Sequence, residues 1–284
     1  MKIFQSNQCD KLKSCLLCYP VNFKITKKNS PFYNKINNEL MFSQYNNFVN
    51  SLSNNGVKVS FIDISKNLYH QVFTQDVGFV VNDILFLCNM KLDERKSEII
   101  YLKKYIKDHN LKYYCLENTI EGGDVIHYDG VLFVGISTRT TIDACRELEK
   151  VLNKMNIDMK VIPIYFDNSK IHLDCVFNTL DKGSGVISPY VFDRKVIEEY
   201  IPNLIEISKD DADDLGTNYV YLGDKKLLSS NKNVSKILVK EGYEVSYIDY
   251  SEIIKGDGSL GCSVLYLLRE WINSCMRSEE HTSE

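Results

Sequence analysis

The sequence has no apolar run long enough to cross a membrane. Stretches such as "GFVV" and "ILFLC" are interrupted at Asn82 and Asp83, far short of the ~20 residues that a spanning helix needs. Residues 1–10 lack the apolar core of a signal peptide, so a cytoplasmic location and no membrane partner are expected. There is no excess of positive charge either. The 34 Lys and Arg against 38 Asp and Glu leave a formal charge of −4, which gives no basic field to attract a phosphate backbone, and no nucleic-acid partner is expected. Nor do the nine cysteines form a spaced framework. An odd number scattered through a chain this long reads as reduced thiols and not as a disulfide scaffold. Cys15 and Cys18 in "CLLC" are the one close pair, and without a second pair or nearby histidines they read as packed strand residues. Neither a metal nor a cofactor is expected.

What remains is an ordinary globular composition, 44% hydrophobic and 25% charged, read as one domain over residues 1–276. The final "RSEEHTSE", residues 277–284, follows no pattern in the rest of the chain. It resembles a translated sequencing adapter and reads as a non-native tail.

One pattern of hairpin, helix and strand recurs roughly every 45 to 50 residues, which predicts an α/β fold of repeated ββαβ units. The hairpins are "DVGFVVNDILFLCN" (76–89), "GDVIHYDGVLFVGIS" (123–137), "HLDCVFNTLDKGSGVISP" (172–189) and "TNYVYLGDKKLLSS" (217–230). A fifth is split between the termini, "CSVLYLLR" (262–269) pairing with "KLKSCLLCYP" (11–20) to close a ring. A helical stretch follows each hairpin, among them "ERKSEIIYLKKYIKDH" and "TTIDACRELEKVLNKM", and each helix feeds a strand such as "VKVSFIDIS" (57–65) or its near copy "YEVSYIDYS" (243–251). Units this small cannot bury their own apolar faces, so five should stack about a common axis.

That stacking predicts a meeting point. Asp76, Asp124, His172 with Asp174, and Cys262 all stand at the start of the first hairpin strand of their units, and in a ring those starts converge. A thiol, an imidazole and several carboxylates suggest nucleophilic catalysis on a cation. A guanidinium fits, because its planar fork of N–H donors is satisfied by carboxylates on its edges. Its resonance-stabilised carbon needs a nucleophile as strong as a thiolate.

The sequence resembles the guanidino-modifying enzymes, which include arginine deiminases, dimethylarginine dimethylaminohydrolases and amidinotransferases. The resemblance is carried, in order along the chain, by "VFTQD" (72–76), "EGGDV" (121–125), "GISTRT" (135–140), "HLDCVF" (172–177) and "GDGSLGCSVLYL" (256–267). It implies a five-bladed α/β propeller, the pentein fold, and hydrolysis of a guanidino C–N bond of arginine or an N-methylated arginine. By this likeness Cys262 is the nucleophile, His172 shuttles the proton, and Glu121 orients His172. Asp76 and Asp174 would clamp the guanidinium, with Asp124 ordering the site. Arg95 and Arg139 match positions that hold a substrate α-carboxylate. Gln75 stands where arginine deiminases usually carry Arg and the dimethylarginine enzymes Glu, and His70 stands where the latter use Asp for the substrate α-amino group, so both bear on the far end of the substrate. The expected partner is therefore a small guanidino compound, and a homodimer is left open.

Plainer readings stand beside these. "EGGD" is also an ordinary glycine turn with an Asp cap. Arg95, with Glu94 and Glu98 nearby, reads equally as a solvated ion pair at a helix start, and "DDADD" (210–214) as an exposed acidic loop. An amidinotransferase would use the same intermediate, and a non-enzymatic propeller of the ribosome anti-association type would share the fold.

Overall fold

The computed structural model describes residues 1–270, so the reading of 277–284 as a tail lies outside the described residues. Five three-stranded sheets account for all of its named strands. Each consists of an antiparallel hairpin whose second strand also pairs, in parallel, with a third strand. The first four are Gly78–Val81, Ile84–Leu87 and Lys112–Cys115; Val125–Tyr128, Val131–Ile136 and Lys160–Tyr165; Phe177–Thr179, Ser184–Ile187 and Asn203–Glu206; and Val220–Gly223, Lys226–Ser229 and Glu244–Tyr247. In the fifth, Lys11–Leu17 lies between Leu265–Glu270 and Lys58–Phe61. The two ends of the chain thus make one sheet, as the split hairpin predicts.

Burial explains the sequence of each strand type. Hairpin strands such as "GFVV" and "VIHY" are buried throughout and read as continuous apolar runs, whereas third strands such as "KYYC" and "EVSY" remain largely exposed and carry charge. Two-residue turns close the hairpins where the chain can take positive φ, at Asp129 (38°) with Gly130 (81°) and at Asp224 (52°) with Lys225 (60°).

Between second and third strands run the helices Asn38–Asn54, Glu98–Asp108, Ile142–Lys154 and Lys232–Lys240 and the short Arg194–Glu198. Asn37, Thr141 and Asn231 cap three of them through side-chain oxygens that accept N–H groups of the first turn. Two sequence expectations need correction. The helix expected over "ERKSEIIYLKKYIKDH" is divided at Ser97, leaving Asp93–Lys96 as a separate turn that carries Arg95 inward. "DDADD" is not a loop. Lys209–Asp213 is a helical turn, because Ser208 accepts from Asp211 N and two acids sit in its first turn.

Adjacent sheets meet along their first strands: Leu265–Glu270 packs on Gly78–Val81, and Val125–Tyr128 on Phe177–Thr179. Three hairpins are entered through 3₁₀ turns, Thr74–Val77, Gly122–Asp124 and Leu173–Cys175, the second packing against both others. Among the described residues no helix is long and apolar enough to cross a membrane.

Candidate active site

Five residues open the five hairpins from equivalent places: Asp76, Asp124, Asp174, Asn218 and Cys262. All are buried. His172, just ahead of the Leu173–Cys175 turn, joins them through Glu121. Asp76, His172 and Cys262 line a cavity of about 300 Å³, with Arg139, Arg95 and His70 around them. Its mouth is formed by parts of residues 25–31 and of Lys255–Gly258.

The two glycines of "EGGD" make the junction of the first three units feasible. A Cβ on Gly122 would lie 2.0 Å from the Gln75 carbonyl oxygen, and one on Gly123 would lie 2.6 Å from His172 Nδ1. A side chain at either position would push the 3₁₀ turns apart or displace the imidazole.

His172 Nε2 and Glu121 Oε2 are 2.8 Å apart, and His172 Nδ1 faces Asp76 Oδ1 at 3.6 Å. Burial alone would drive His172 neutral. The carboxylates of Asp76, Glu121 and Asp124 and the Cys262 sulfur overcome it and hold its pKa well above the ordinary imidazole value. Glu121 is pushed up by burial but pulled down further by His172 and the two arginines, to about 2. It also accepts from Lys91 N and, at 3.3–3.4 Å, from Arg139.

Cys262 is held by Asn218, whose Nδ2 donates to Sγ at 3.2 Å and whose Oδ1 accepts from the Cys262 N–H at 3.0 Å. Donation from the Cys175 thiol, against the cost of burial and with help from His172, brings the Cys262 pKa down to about 6. Other buried thiols go the opposite way; burial pushes Cys15, Cys18 and Cys145 up to about 12. The Cys262–His172 pair is therefore favoured as thiolate and imidazolium at neutral pH, the state a thiol nucleophile with an attendant acid requires.

The remaining candidates divide. Arg95 is fully enclosed, its Nη1 2.5 Å from Asp76 Oδ2, its Nε and Nη2 on Glu98, and Nη2 also on the Phe73 carbonyl. This corrects the solvated ion pair: Arg95 is a buried one, and every fork of its guanidinium is engaged. Asp76 Oδ1 has no hydrogen-bond partner. Arg139 lines the cavity with only its long contacts to Glu121. His70 also lines it, stacked on Phe73, and burial lowers its pKa to about 4, so it is neutral at pH 7.

Asp174 Oδ2 accepts from Asn218 at 2.8 Å and lies 3.8 Å from Cys262 Sγ, while Oδ1 lies 3.4 Å from the Cys175 sulfur. Burial, then the neighbouring Cys262, push its pKa well above the usual range. Asp124 lies behind the cavity, accepting from Ser137 Oγ and Leu173 N. Burial raises it to about 6. Gln75 is not brought to the cavity. Its backbone N–H donates to the Cys262 carbonyl, and its side chain points into a separate small void beside His127 and Phe79, a correction to its reading as a substrate contact.

Among the described residues two groups approach ligating distances, Asp76 with Glu121 and His172, and Asp174 with Cys175 and Cys262. The first has Arg95 and Arg139 beside its carboxylates. Sequence reasoning missed Asn218, Cys175 and Glu98. The register that selects Asp76, Asp124, Asp174 and Cys262 also selects Asn218 in "TNYVYLGD"; the signal was present, but an amide looks less chemical than an acid.

Fold and site together place the chain among the guanidino-modifying enzymes of the pentein superfamily. Residues 22–269 match the model of the family described as N,N dimethylarginine dimethylhydrolase, eukaryotic, and the chain belongs to that family. It is 33% identical over 269 residues to the Bacillus subtilis protein YkgA, covering 91% of this chain and 92% of that one. The fold resembles the N-terminal domain of ArgZ bound to product, an arginine dihydrolase from the ornithine–ammonia cycle in cyanobacteria, with a TM-score of 0.82, 21% identity and 92% and 98% of the two chains covered. It also resembles a Cys-to-Ser mutant of dimethylarginine dimethylaminohydrolase from Pseudomonas aeruginosa complexed with citrulline, with a TM-score of 0.78, 17% identity and 90% and 99% covered. Family and fold support guanidino-group hydrolase or deiminase activity.

Proposed function

We propose that this protein hydrolyses the guanidino C–N bond of arginine or a close relative through a covalent thiouronium on Cys262, with the unmethylated guanidinium preferred. The observation that carries the reading is the pairing, at one cavity wall, of a thiol held down to about 6 with an imidazole held well above its ordinary value. The thiolate attacks the guanidinium carbon. His172, charged and oriented by Glu121, gives its proton to the departing nitrogen as the C–N bond breaks. The neutral imidazole then takes a proton from water, which adds to the thiouronium carbon and expels Cys262 as thiolate, leaving a ureido product while the second proton goes to the released amine.

Asp76 Oδ1, buried and without a hydrogen bond, is the acceptor left for a guanidinium edge. A carbon bonded to Cys262 would bring its nitrogens beside Asp174, 3.8 Å from the sulfur. Arg139 is the arginine with donors to spare for a carboxylate, and a cavity of about 300 Å³ suits an amino-acid-sized molecule. The pairing of the chain's ends in one sheet and the contacts between successive first strands support five blades closed into an α/β propeller about this site.

Citrulline formation and amine release should be measured with arginine, asymmetric dimethylarginine and agmatine. Citrulline and ammonia from arginine are expected. Release of dimethylamine from dimethylarginine at higher kcat/KM would replace arginine as the substrate, and transfer of the amidino group to added glycine or lysine would replace hydrolysis.

A further inference from the structure

We propose that Cys175 and Cys262 form an oxidation site, in which peroxide converts the nucleophile to a sulfenic acid and Cys175 resolves it into a reversible disulfide. The proposal needs only the Cys262 thiolate and not any particular substrate.

The two sulfurs lie within 4.8 Å of each other, with an Asp174 oxygen equally close. Both side chains are buried, each residue about 3% exposed. The pair is braced from both sides. Asn218 binds Asp174 Oδ2 and Cys262 together, and Thr217 Oγ1 donates to the Asp174 carbonyl, next in sequence to Cys175. Rotation about a cysteine χ1 is the motion available to bring the sulfurs to the ~2.05 Å of a disulfide. Cys262 lines the cavity and Cys175 does not. A molecule as small as peroxide therefore meets Cys262 first, and the second thiol waits behind it. The hydrolytic reaction gives Cys175 no bond to make or break.

The chemistry balances with one hydrogen peroxide. The Cys262 thiolate attacks one peroxide oxygen, the O–O bond breaks, and the departing hydroxide is protonated to water. The Cys175 sulfur then attacks the Cys262 sulfur as its proton passes to the leaving hydroxyl, the S–O bond breaks, and a second water leaves. Two thiols are oxidised by two electrons and one peroxide is reduced. Without Cys175 the sulfenic acid has no resolving thiol beside it, and a second peroxide oxidises it to the irreversible sulfinic acid. The disulfide draws Cys262 away from the cavity, so it switches turnover off while protecting the nucleophile.

The test treats the whole chain with about one equivalent of peroxide at pH 7, alkylates the remaining thiols, and maps an unreduced digest by mass spectrometry. A cross-linked peptide pair containing residues 175 and 262 is expected, with two fewer alkylated cysteines. Dithiothreitol should restore nearly all of the starting activity. In Cys175→Ser, or in Cys175→Ala should the serine fail to fold, the cross-link should vanish and, with two or more equivalents of peroxide, Cys262 should carry sulfinate. Less than about a tenth of that variant's own activity should then return with dithiothreitol. Sulfinate at Cys262 without a 175–262 cross-link in the unaltered chain, a cross-link from Cys262 to another cysteine, or no oxidation at Cys262 would each overturn the proposal. The peptide map reads out even if every guanidino compound proves inert, so failure of the substrate reading is separable.

Discussion

Asp124 commits both carboxylate oxygens to its own scaffold, accepting from Ser137 Oγ and from the Leu173 N–H. Asp76, at the same register one unit earlier, gives one oxygen to Arg95 and leaves the other without a hydrogen bond, 3.6 Å from His172 Nδ1. The difference lies in the neighbours. Opposite Asp124 stands Gly135, where a Cβ would come 2.6 Å from Asp124 Oδ1, and Ser137 two residues on supplies a donor. Asp76 instead meets an arginine from the Asp93–Lys96 turn and faces the cavity. Repetition puts acids at one end of the fold, and their partners determine which acid stabilises and which stays open to a ligand. An unpartnered carboxylate oxygen in the interior carries a cost of about 1–3 kcal/mol, which a bound cation would relieve.

The largest effect should come from the nucleophile and from the imidazole whose charge these acids sustain. Cys262→Ser should lower turnover by at least about 10⁴ with the melting transition preserved, because a serine hydroxyl does not ionise near pH 6 and cannot attack a guanidinium carbon. His172→Ala should cost on the order of 10² to 10⁴ in kcat, the usual worth of a positioned proton shuttle. If His172→Ala moved KM alone, the imidazole would be a binding group and the acids around it would be equivalent after all.

Asp76→Asn and Asp124→Asn break the comparison directly. The first should lower kcat/KM by roughly 10- to 100-fold, the loss of one charge-assisted contact, with a smaller change in stability because Arg95 keeps Glu98. The second should lower unfolding free energy by about 1–3 kcal/mol with a milder kinetic effect, since its donors are the Ser137 hydroxyl and the Leu173 backbone N–H. Equal kinetic losses with unchanged unfolding in both would show that Asp124 is a ligand too.

The repeat, the split fifth hairpin and the register that gathers Asp76, Asp124, Asp174 and Cys262 were legible because strands and turns are local, and hairpin turns have strong signatures such as "YDG". What was not legible was side-chain direction. Gln75 and Asp76 are adjacent, yet one faces a separate void and the other the cavity, and nothing in "TQD" states which. The break at Ser97 was hidden for a similar reason. The apolar spacing of residues 98–108 continues plausibly back through Arg95, and only the burial of Arg95 between Asp76 and Glu98 reveals the separate turn. Asn218 was missed because a neutral amide signals chemistry only once its two hydrogen bonds to Cys262 are visible.

The thiol sharpens the comparison through pH. Iodoacetamide should alkylate Cys262 with a midpoint near pH 6, its rate rising with pH as the thiolate forms. Asn218→Ala should raise that midpoint, since the amide donor favours the charged sulfur. The acid Asp124 should act in the opposite sense on stability. Its folded pKa, about 6, lies above the ordinary 3.8, so the folded state binds the proton more tightly. Stability is therefore fully supported below about pH 3.8 and declines as pH rises through 6. Asp124→Asn should remove that slope. A Cys262 midpoint near 9 would mean that the buried acids outweigh Asn218, Cys175 and His172.

The smallest effect concerns methylation, and it asks whether Asp174 joins Asp76 at the guanidinium. As the site stands, Asp174 is engaged by Asn218 and the Cys175 thiol, and its pKa is pushed well above the usual range by burial. Its contact with substrate would thus be made beside the Cys262 sulfur. Two methyl groups on one terminal nitrogen remove two donors and crowd whichever acid faces that edge. A carboxyl left unpaired in the interior costs roughly 1 to 3 kcal/mol, so arginine should be preferred over dimethylarginine by about tenfold in kcat/KM. Asp174→Asn should narrow that ratio while lowering both rates, because the edge that rejects methyl groups has lost its carboxyl. A ratio unchanged by Asp174→Asn, but collapsed by Asp76→Asn, would assign the guanidinium to Asp76 alone and leave Asp174 with Asp124 among the acids that hold the fold.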